Sequence, residues 1–352
     1  MNIHNTIKIN LSVFVLTVLL CWNSSVWSET FEYYVDDSVV GKVSQTYSNY
    51  EQTLPDIARL HDLGYHEIKL ANPEVDTWLP GEEQRIVLPK HFVLPVAKHE
   101  GIIINIPEMR LYYFPPSSDD KTRQVITHPI GIGREGWSTP YINTKIIQKN
   151  RDPHWYPPDS VREHYAEEGK ILPKVVKPGP ENPLGRFAMR LGLPSYLIHG
   201  TNRPFGVGMR VSSGCIRLYP EDIESLFSKI PLGTSVNIVN QPYKVGVIGN
   251  TIYLEANPFL DEDAELFDGN LTSVVKMLVK LSGDDIYNID WDLAKAVIDE
   301  QTGLPVEIGT LKRSSSMMVT ANSETDMGAD DDMIETESSV LKLKLDTGIV
   351  PE

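Results

Sequence analysis

The chain has 352 residues and a formal net charge of −16, which becomes −17 once residues 1–28, whose only charge is Lys8, are set aside. So acidic a protein is a poor partner for nucleic acid or an anionic lipid surface. The length is enough for two or more domains. At the amino terminus Lys8 precedes an apolar run from Leu11 to about Trp22 and then Val26-Trp27-Ser28. That pattern reads as an export signal cleaved after Ser28, too short to span a bilayer, so the mature chain is expected to be exported and to lack a transmembrane segment, a retained membrane anchor being the other reading. Cys21 leaves with the leader, and Cys215 remains as the single thiol.

After the leader, the stretch to about Lys98 reads as one unit. Thr53 to Leu60 has an amphipathic helical pattern, Tyr65 to Ala71 a second short helix, and Glu83 to Leu88 a strand closed by Pro89. Asn72-Pro73 and Leu79-Pro80-Gly81 punctuate it as turns. The order β-α-α-β, with Leu70-Ala71-Asn72-Pro73, Trp78-Leu79-Pro80-Gly81 and Ile86-Val87-Leu88-Pro89, resembles a LysM module over residues 42–90. The resemblance implies binding to glycan containing N-acetylglucosamine; a helical cap packed on the next domain is the other reading.

From His99 the pattern turns to strands rich in β-branched and aromatic residues: Gly101 to Ile106, Arg110 to Phe114, Gln124 to Thr127, Ile142 to Ile147, Phe187 to Leu191 and Tyr196 to His199. A helix from Tyr219 to Ile230, entered through Pro220, and a strand from Ser235 to Val239 complete residues 99–240. The fold class read from this is mainly β with some α, the central domain a β-sandwich. Beyond it, Tyr243 to Leu254 reads as a hairpin turning at Gly249-Asn250, followed by helices from Leu271 to Leu281 and from Asp290 to Gln301. This small α+β extension, residues 241–310, is either a lid or docking surface or a stabilising appendage. From Leu311 the chain carries four basic and nine acidic residues without periodicity and is expected to be a disordered tail.

Chemistry concentrates near Cys215. It lies in Ser212-Ser213-Gly214-Cys215-Ile216-Arg217, sixteen positions after His199 of His199-Gly200-Thr201-Asn202. Between Leu184 and Tyr219 stand Arg186, Arg190, Arg203, Arg210 and Arg217 with no Asp, Glu or Lys. Such a cluster is expected to lower the thiol pKa and to attract a carboxylate on the substrate, Arg210 being one candidate for that contact. Acyl transfer through a thiol needs a nucleophile, a base and oxyanion donors. Cys215 and His199 fill the first two roles, and the backbone amides of Gly214 and Cys215 are the candidates for the third. A buried, inert cysteine is the alternative. No cofactor is expected: His128, His154 and His164 show no ligand spacing with Cys215 and read as solvated or structural, His154 with a place near the cleft. Trp155 reads equally as an aromatic wall of the cleft or as core. Arg217 either binds a carboxylate or braces the loop, while Asn202 pins the turn after His199.

The His-Gly-Thr-Asn and Ser-x-Gly-Cys-Ile-Arg motifs, with Trp155-Tyr156-Pro157-Pro158 and Asn182-Pro183-Leu184-Gly185 upstream, are similar to the signature of the L,D-transpeptidase (YkuD) catalytic domain. The likeness is greatest to its periplasmic branch that attaches a lipoprotein to peptidoglycan. It implies attack on a stem tetrapeptide, with release of D-alanine and a thioester on Cys215. The acyl group then passes to an amine: a lysine of an outer-membrane lipoprotein, diaminopimelate of another stem, or water in its place. It also implies that a backbone carbonyl near Gly200 orients His199. Many members carry a second histidine where this chain has Ser213. Ser212 and Ser213 fall beside the substrate in this reading. A non-catalytic wall-binding scaffold is the competing class.

Overall fold

The computed structural model describes residues 29–267, 271–282 and 286–312, so the expected leader and nearly all of the expected tail lie outside the described residues. In chain order the amino-terminal part holds β1 (Glu29–Tyr34), β2 (Val39–Gly41), β3 (Ser44–Tyr47), α1 (Leu54–Leu60), α2 (Tyr65–Leu70), β4 (Arg85–Leu88) and β5 (His91–Val93). Strands β3 and β4 pair antiparallel around the two helices, with Ser44 opposite Leu88, which is the β-α-α-β order read from the sequence. Thr53 starts α1 through a capping box: its hydroxyl accepts from the Asp56 amide at 3.2 Å, and the Asp56 carboxylate accepts from the Thr53 amide at 3.0 Å. A cap of this kind contributes about 1 kcal/mol. It also turns Leu54, Ile57 and Ala58 inward.

Strand β1, which carries no clear signal in the sequence, leaves this module and pairs with a strand of the central sheet, Glu29 opposite Thr127. The central part comprises β6 (Gly101–Asn105), β7 (Arg110–Phe114), β8 (Thr122–Pro129), β9 (Ile132–Gly133), β10 (Ile142–Arg151), α3 (Asp159–Glu167), β11 (Phe187–Leu191), β12 (Leu197–His199), β13 (Arg210–Ser212), β14 (Ile216–Arg217), α4 (Pro220–Lys229) and β15 (Ser235–Val239). Nine of these strands form one sheet in the order β1-β8-β7-β6-β15-β10-β11-β12-β14. The mainly β class is borne out, and the two expected layers are halves of a single curled sheet. Strand β10 makes the corner. Its first residues, Ile142 to Lys145, pair with β15, and after a register shift between Ile146 and Gln148 its remainder pairs with β11. Strands β6 and β7 are buried on both faces, which accounts for their unbroken apolar runs. Ile102, Ile104 and Leu111 face the core around Phe187, Ile198, Ile216 and Leu226. Ile103 and Tyr112 face the amino-terminal module with Leu54, Ile57 and Ile68.

That module is bonded to the central part as well as packed on it. Fully buried Arg110 of β7 donates to both oxygens of Glu67 on α2, at 2.5 and 2.8 Å. His128 of β8 is not solvated: it lies fully buried with Nδ1 3.3 Å from Asp62 and 3.4 Å from Asp222 of α4. Burial alone would discharge the ring, but the two carboxylates outweigh it and hold its pKa up near about 10. The imidazolium thus supplies the cation that this donor set needs.

The carboxy-terminal extension is a four-stranded sheet in the order β16-β17-β19-β18, made of β16 (Tyr243–Ile248), β17 (Thr251–Ala256), β18 (Ile286–Ile289) and β19 (Val306–Lys312). Helices α5 (Thr272–Ser282) and α6 (Trp291–Glu300) cover it, and Asp290 caps α6 through the Leu293 amide at 3.0 Å. Lys244 of β16 reaches out fully buried between Glu108 and Glu255, 2.8 Å from each. Among the described residues no helix is long and apolar enough to cross a membrane.

Candidate active site

Strands β12 and β14 run parallel as neighbours, with Ile198 opposite Ile216 and His199 opposite Arg217. Alternation along a strand sends His199 and Arg217 to one face. Cys215, two residues before Arg217, falls on the same face, diagonally across from His199. All three side chains open into a cleft of about 760 Å³. The fifteen residues between the histidine and the cysteine form the loop that returns to β14. Their tight points are glycines. Gly214 has φ of +98°, and a Cβ there would sit 2.9 Å from the ring of Tyr196.

His199 is buried, and its Nδ1 lies 2.6 Å from the carbonyl of Gly200. A carbonyl only accepts, so Nδ1 carries the proton and, in the neutral ring, Nε2 keeps its lone pair. Burial, with a smaller push from Arg217, drives the imidazole pKa down to about 3. The half-buried Cys215 thiol donates to the Ser195 carbonyl at 3.5 Å. Burial pushes its pKa up, and the Leu197 amide and Arg217 only partly offset this. The expected lowering of the thiol pKa by the arginine cluster is therefore overturned. Desolvation exceeds the attraction of the single arginine that acts on the sulfur, and the resting pair is a neutral thiol beside a neutral imidazole.

Four of the five arginines divide. Arg190 and Arg217 line the cleft, whose wall contains no Asp or Glu among the described residues. Among the described residues the buried Arg217 Nε has no hydrogen-bond partner, which suits it to a carboxylate entering from solvent. Arg186 instead pairs with Asp152 at 3.5 Å. Arg210 is also a correction: its guanidinium is held by Glu262 at 2.6 and 3.1 Å and does not line the cleft. Asn202 is another, since it points away to the Pro180 carbonyl, and the turn after His199 is held by Thr201, whose hydroxyl accepts from the Arg203 amide at 2.9 Å.

Ser212 and Ser213 both line the cleft, with different consequences. The Ser212 hydroxyl donates to the Cys215 carbonyl at 2.5 Å and accepts from the Gly214 amide at 3.1 Å. Gly214 therefore spends its N–H inside the turn, and of the two expected oxyanion donors only the Cys215 amide stays a candidate. Trp155 is half-buried in the cleft wall with His154 beside it, while its backbone bridges to Val176. Trp137, Ser138, Ser195 and Tyr196 also line the cleft and carry no sequence signal of their own. Asn182, from the motif preceding the histidine, is buried behind the wall and donates to the Pro153 carbonyl at 2.8 Å.

Comparison with known proteins identifies the family. The family model described as YkuD, L,D-transpeptidase catalytic domain, matches residues 99–238. The chain is 38% identical to the "Probable L,D-transpeptidase YcfS" of Escherichia coli K12, covering 73% of this chain and 80% of that protein. It is 38% identical to the "Probable L,D-transpeptidase ErfK/SrfK" of Salmonella typhimurium, over 74% of this chain and 84% of the relative. It is 39% identical to the "Probable L,D-transpeptidase YbiS" of Escherichia coli K12, over 73% and 83%. With a thiol and an imidazole brought to one face of a parallel strand pair, and relatives matched across most of their length, the chain belongs to the L,D-transpeptidase family.

Proposed function

We propose that the protein is a periplasmic L,D-transpeptidase that acts on peptidoglycan stem tetrapeptides through a thioester on Cys215. The carrying observation is the register of β12 and β14, which sets His199 beside Arg217 and diagonal to Cys215, in a cleft with no acidic lining among the described residues. Nε2 of His199 takes the thiol proton as sulfur attacks the carbonyl that links the L-centre of diaminopimelate to terminal D-alanine. The Cys215 amide faces the oxyanion, and the carboxylate of the terminal residue meets Arg217 or Arg190. As the tetrahedral intermediate collapses, the same imidazolium returns its proton to the departing D-alanine nitrogen. An incoming amine then loses its proton to His199, attacks the thioester and frees the thiol. No metal or cofactor is needed in this sequence.

The acceptor we favour is a lysine of an outer-membrane lipoprotein, with diaminopimelate of a second stem or water as the alternatives. The amino-terminal β-α-α-β module is read as the glycan-binding part. Exposed Tyr50, Trp78 and Leu79 lie on the two loops that join its strands to its helices, a placement suited to stacking on sugar rings. Intact-mass spectrometry after incubation with a carbapenem tests the thiol chemistry. A single adduct is expected on the wild type and none on Cys215→Ala; no adduct on the wild type, or an equal one on the variant, leaves only the wall-binding scaffold. Incubation with sacculi and a lysine-ended lipoprotein peptide then reads out the acceptor by muropeptide analysis. Release of D-alanine without attached peptide would rule out anchoring.

A further inference from the structure

Glu262 comes from the carboxy-terminal extension, on the turn of 3-10 helix Asp261–Leu266, and yet it reaches the rim of the cleft. Its carboxylate accepts from the hydroxyl of Ser138, a cleft-lining residue, at 2.8 Å. It also accepts two bonds from Arg210 on β13, the strand that leads into the Ser-Ser-Gly-Cys turn. The next residue, pointing inward, repeats the pattern: Asp263 accepts from the hydroxyl of Tyr141. Between these two ties lies Thr139. Its buried hydroxyl donates to the carbonyl of Gly214 at 3.0 Å and accepts from the amide of Gly133 at 3.2 Å. The segment is seated tightly, for a Cβ on Gly133 would fall 2.0 Å from the Trp137 carbonyl and one on Gly214 3.5 Å from it.

One line of contacts therefore runs Glu262, Ser138, Thr139, Gly214, Cys215. A second runs Glu262, Arg210, Ser212, with Arg210 and Ser212 on the same short strand. Both end on the turn that presents the sulfur. Glu262 touches neither the sulfur nor the imidazole. It is partly exposed, with 31% of its side-chain surface open against 22% for Arg210, so the ion pair by itself adds little to global stability. Its consequence is local, because misplacing reacting groups by about 1 Å costs on the order of 100-fold in rate.

We infer that Glu262 is a positioning residue for acylation: through Ser138 and Arg210 it clamps the Trp137–Thr139 wall against the Gly214–Cys215 turn, so that the extension completes the donor side of the cleft. The inference rests on the transpeptidase reading above. Its test follows acylation by a carbapenem, as a time course at several concentrations, in the full chain and in Glu262→Gln, Ser138→Ala and the double variant. Alkylation of Cys215 by iodoacetamide is run in parallel.

Glu262→Gln is expected to lower the limiting acylation rate roughly tenfold while the iodoacetamide rate stays within about twofold of wild type, since the small reagent needs no wall. Ser138→Ala, which cuts only the first line, should lose no more than Glu262→Gln, and the double variant should be no slower than Glu262→Gln alone, because Ser138 acts through Glu262. Wild-type acylation in Glu262→Gln overturns the inference. So does a double variant whose loss is the product of the two single losses, or a parallel drop in alkylation, which would mean a general loosening of the turn. A wild type that is alkylated but never acylated defeats the transpeptidase reading itself, and the inference falls with it.

Discussion

Lowering the pH from 7.5 to 5.5 separates two descriptions of the base. A histidine with its ordinary pKa of about 6.5 would be roughly one-tenth neutral at pH 5.5, and acylation that relies on its lone pair would fall about tenfold. His199 is displaced from that value, toward about 3, by burial and then by Arg217. At pH 5.5 essentially every molecule still carries a neutral imidazole, so the acylation rate should remain within about twofold of its value at pH 7.5. The raised thiol pKa also places thiolate formation above the neutral range, and no upward break is expected between pH 5 and 8. The assay is the limiting rate of carbapenem acylation, followed by intact mass in buffers from pH 5.0 to 8.0 at constant ionic strength. A descending limb with a midpoint near 6.5 would refute the reasoning, for it would mean a solvated ring or a thiolate–imidazolium pair at rest. The linked stability has a definite sign. Between pH 6.5 and about 3 the unfolded chain binds a proton that native His199 refuses, so this contribution is present above pH 6.5 and is lost as the pH falls toward 3.

Replacing Lys244 by Met should destabilise the protein by about 3–5 kcal/mol, because Glu108 and Glu255 would be left as buried carboxylates without their shared cation. Urea unfolding reads this directly, and a loss under about 1 kcal/mol would contradict the burial. Gly214→Ala should cost roughly 100-fold in acylation, since the residue would have to hold φ of +98° with its Cβ 2.9 Å from Tyr196. Wild-type acylation in that variant would show that the turn tolerates a side chain.

The proposed catalytic pair, Cys215 and His199, is legible in the sequence because each member sits in a short motif whose residue types are needed by the chemistry. The strand pattern of β6, β7, β11 and β15 is legible because their apolar runs are bounded by turn residues. What escapes is what depends on distant segments. Strand β1 takes its place from its partner β8, and nothing within Glu29–Tyr34 announces a central sheet. Asn202 sits in the motif of His199 and Arg210 just before the motif of Cys215, but the loop turns one toward Pro180 and the other toward Glu262. The arginine cluster is visible as composition. Its effect on the thiol depends on burial, which composition does not contain.

The amino-terminal module is fastened to the loop that leads into Cys215. Its Tyr65 and His66 amides donate to the Val207 and Gly208 carbonyls at 3.2 Å each, and the Tyr219 hydroxyl, just beyond the motif, donates to Leu63 at 3.1 Å. Under the glycan-binding role we propose for the module, a flexible tether would let the enzyme search at random around any strand it gripped. Docked in this way it would instead act as the fixed jaw of a caliper, presenting a polymer held at its outer loops to the sulfur at a set offset, and the spacing of modified positions along that polymer would be a property of this interface.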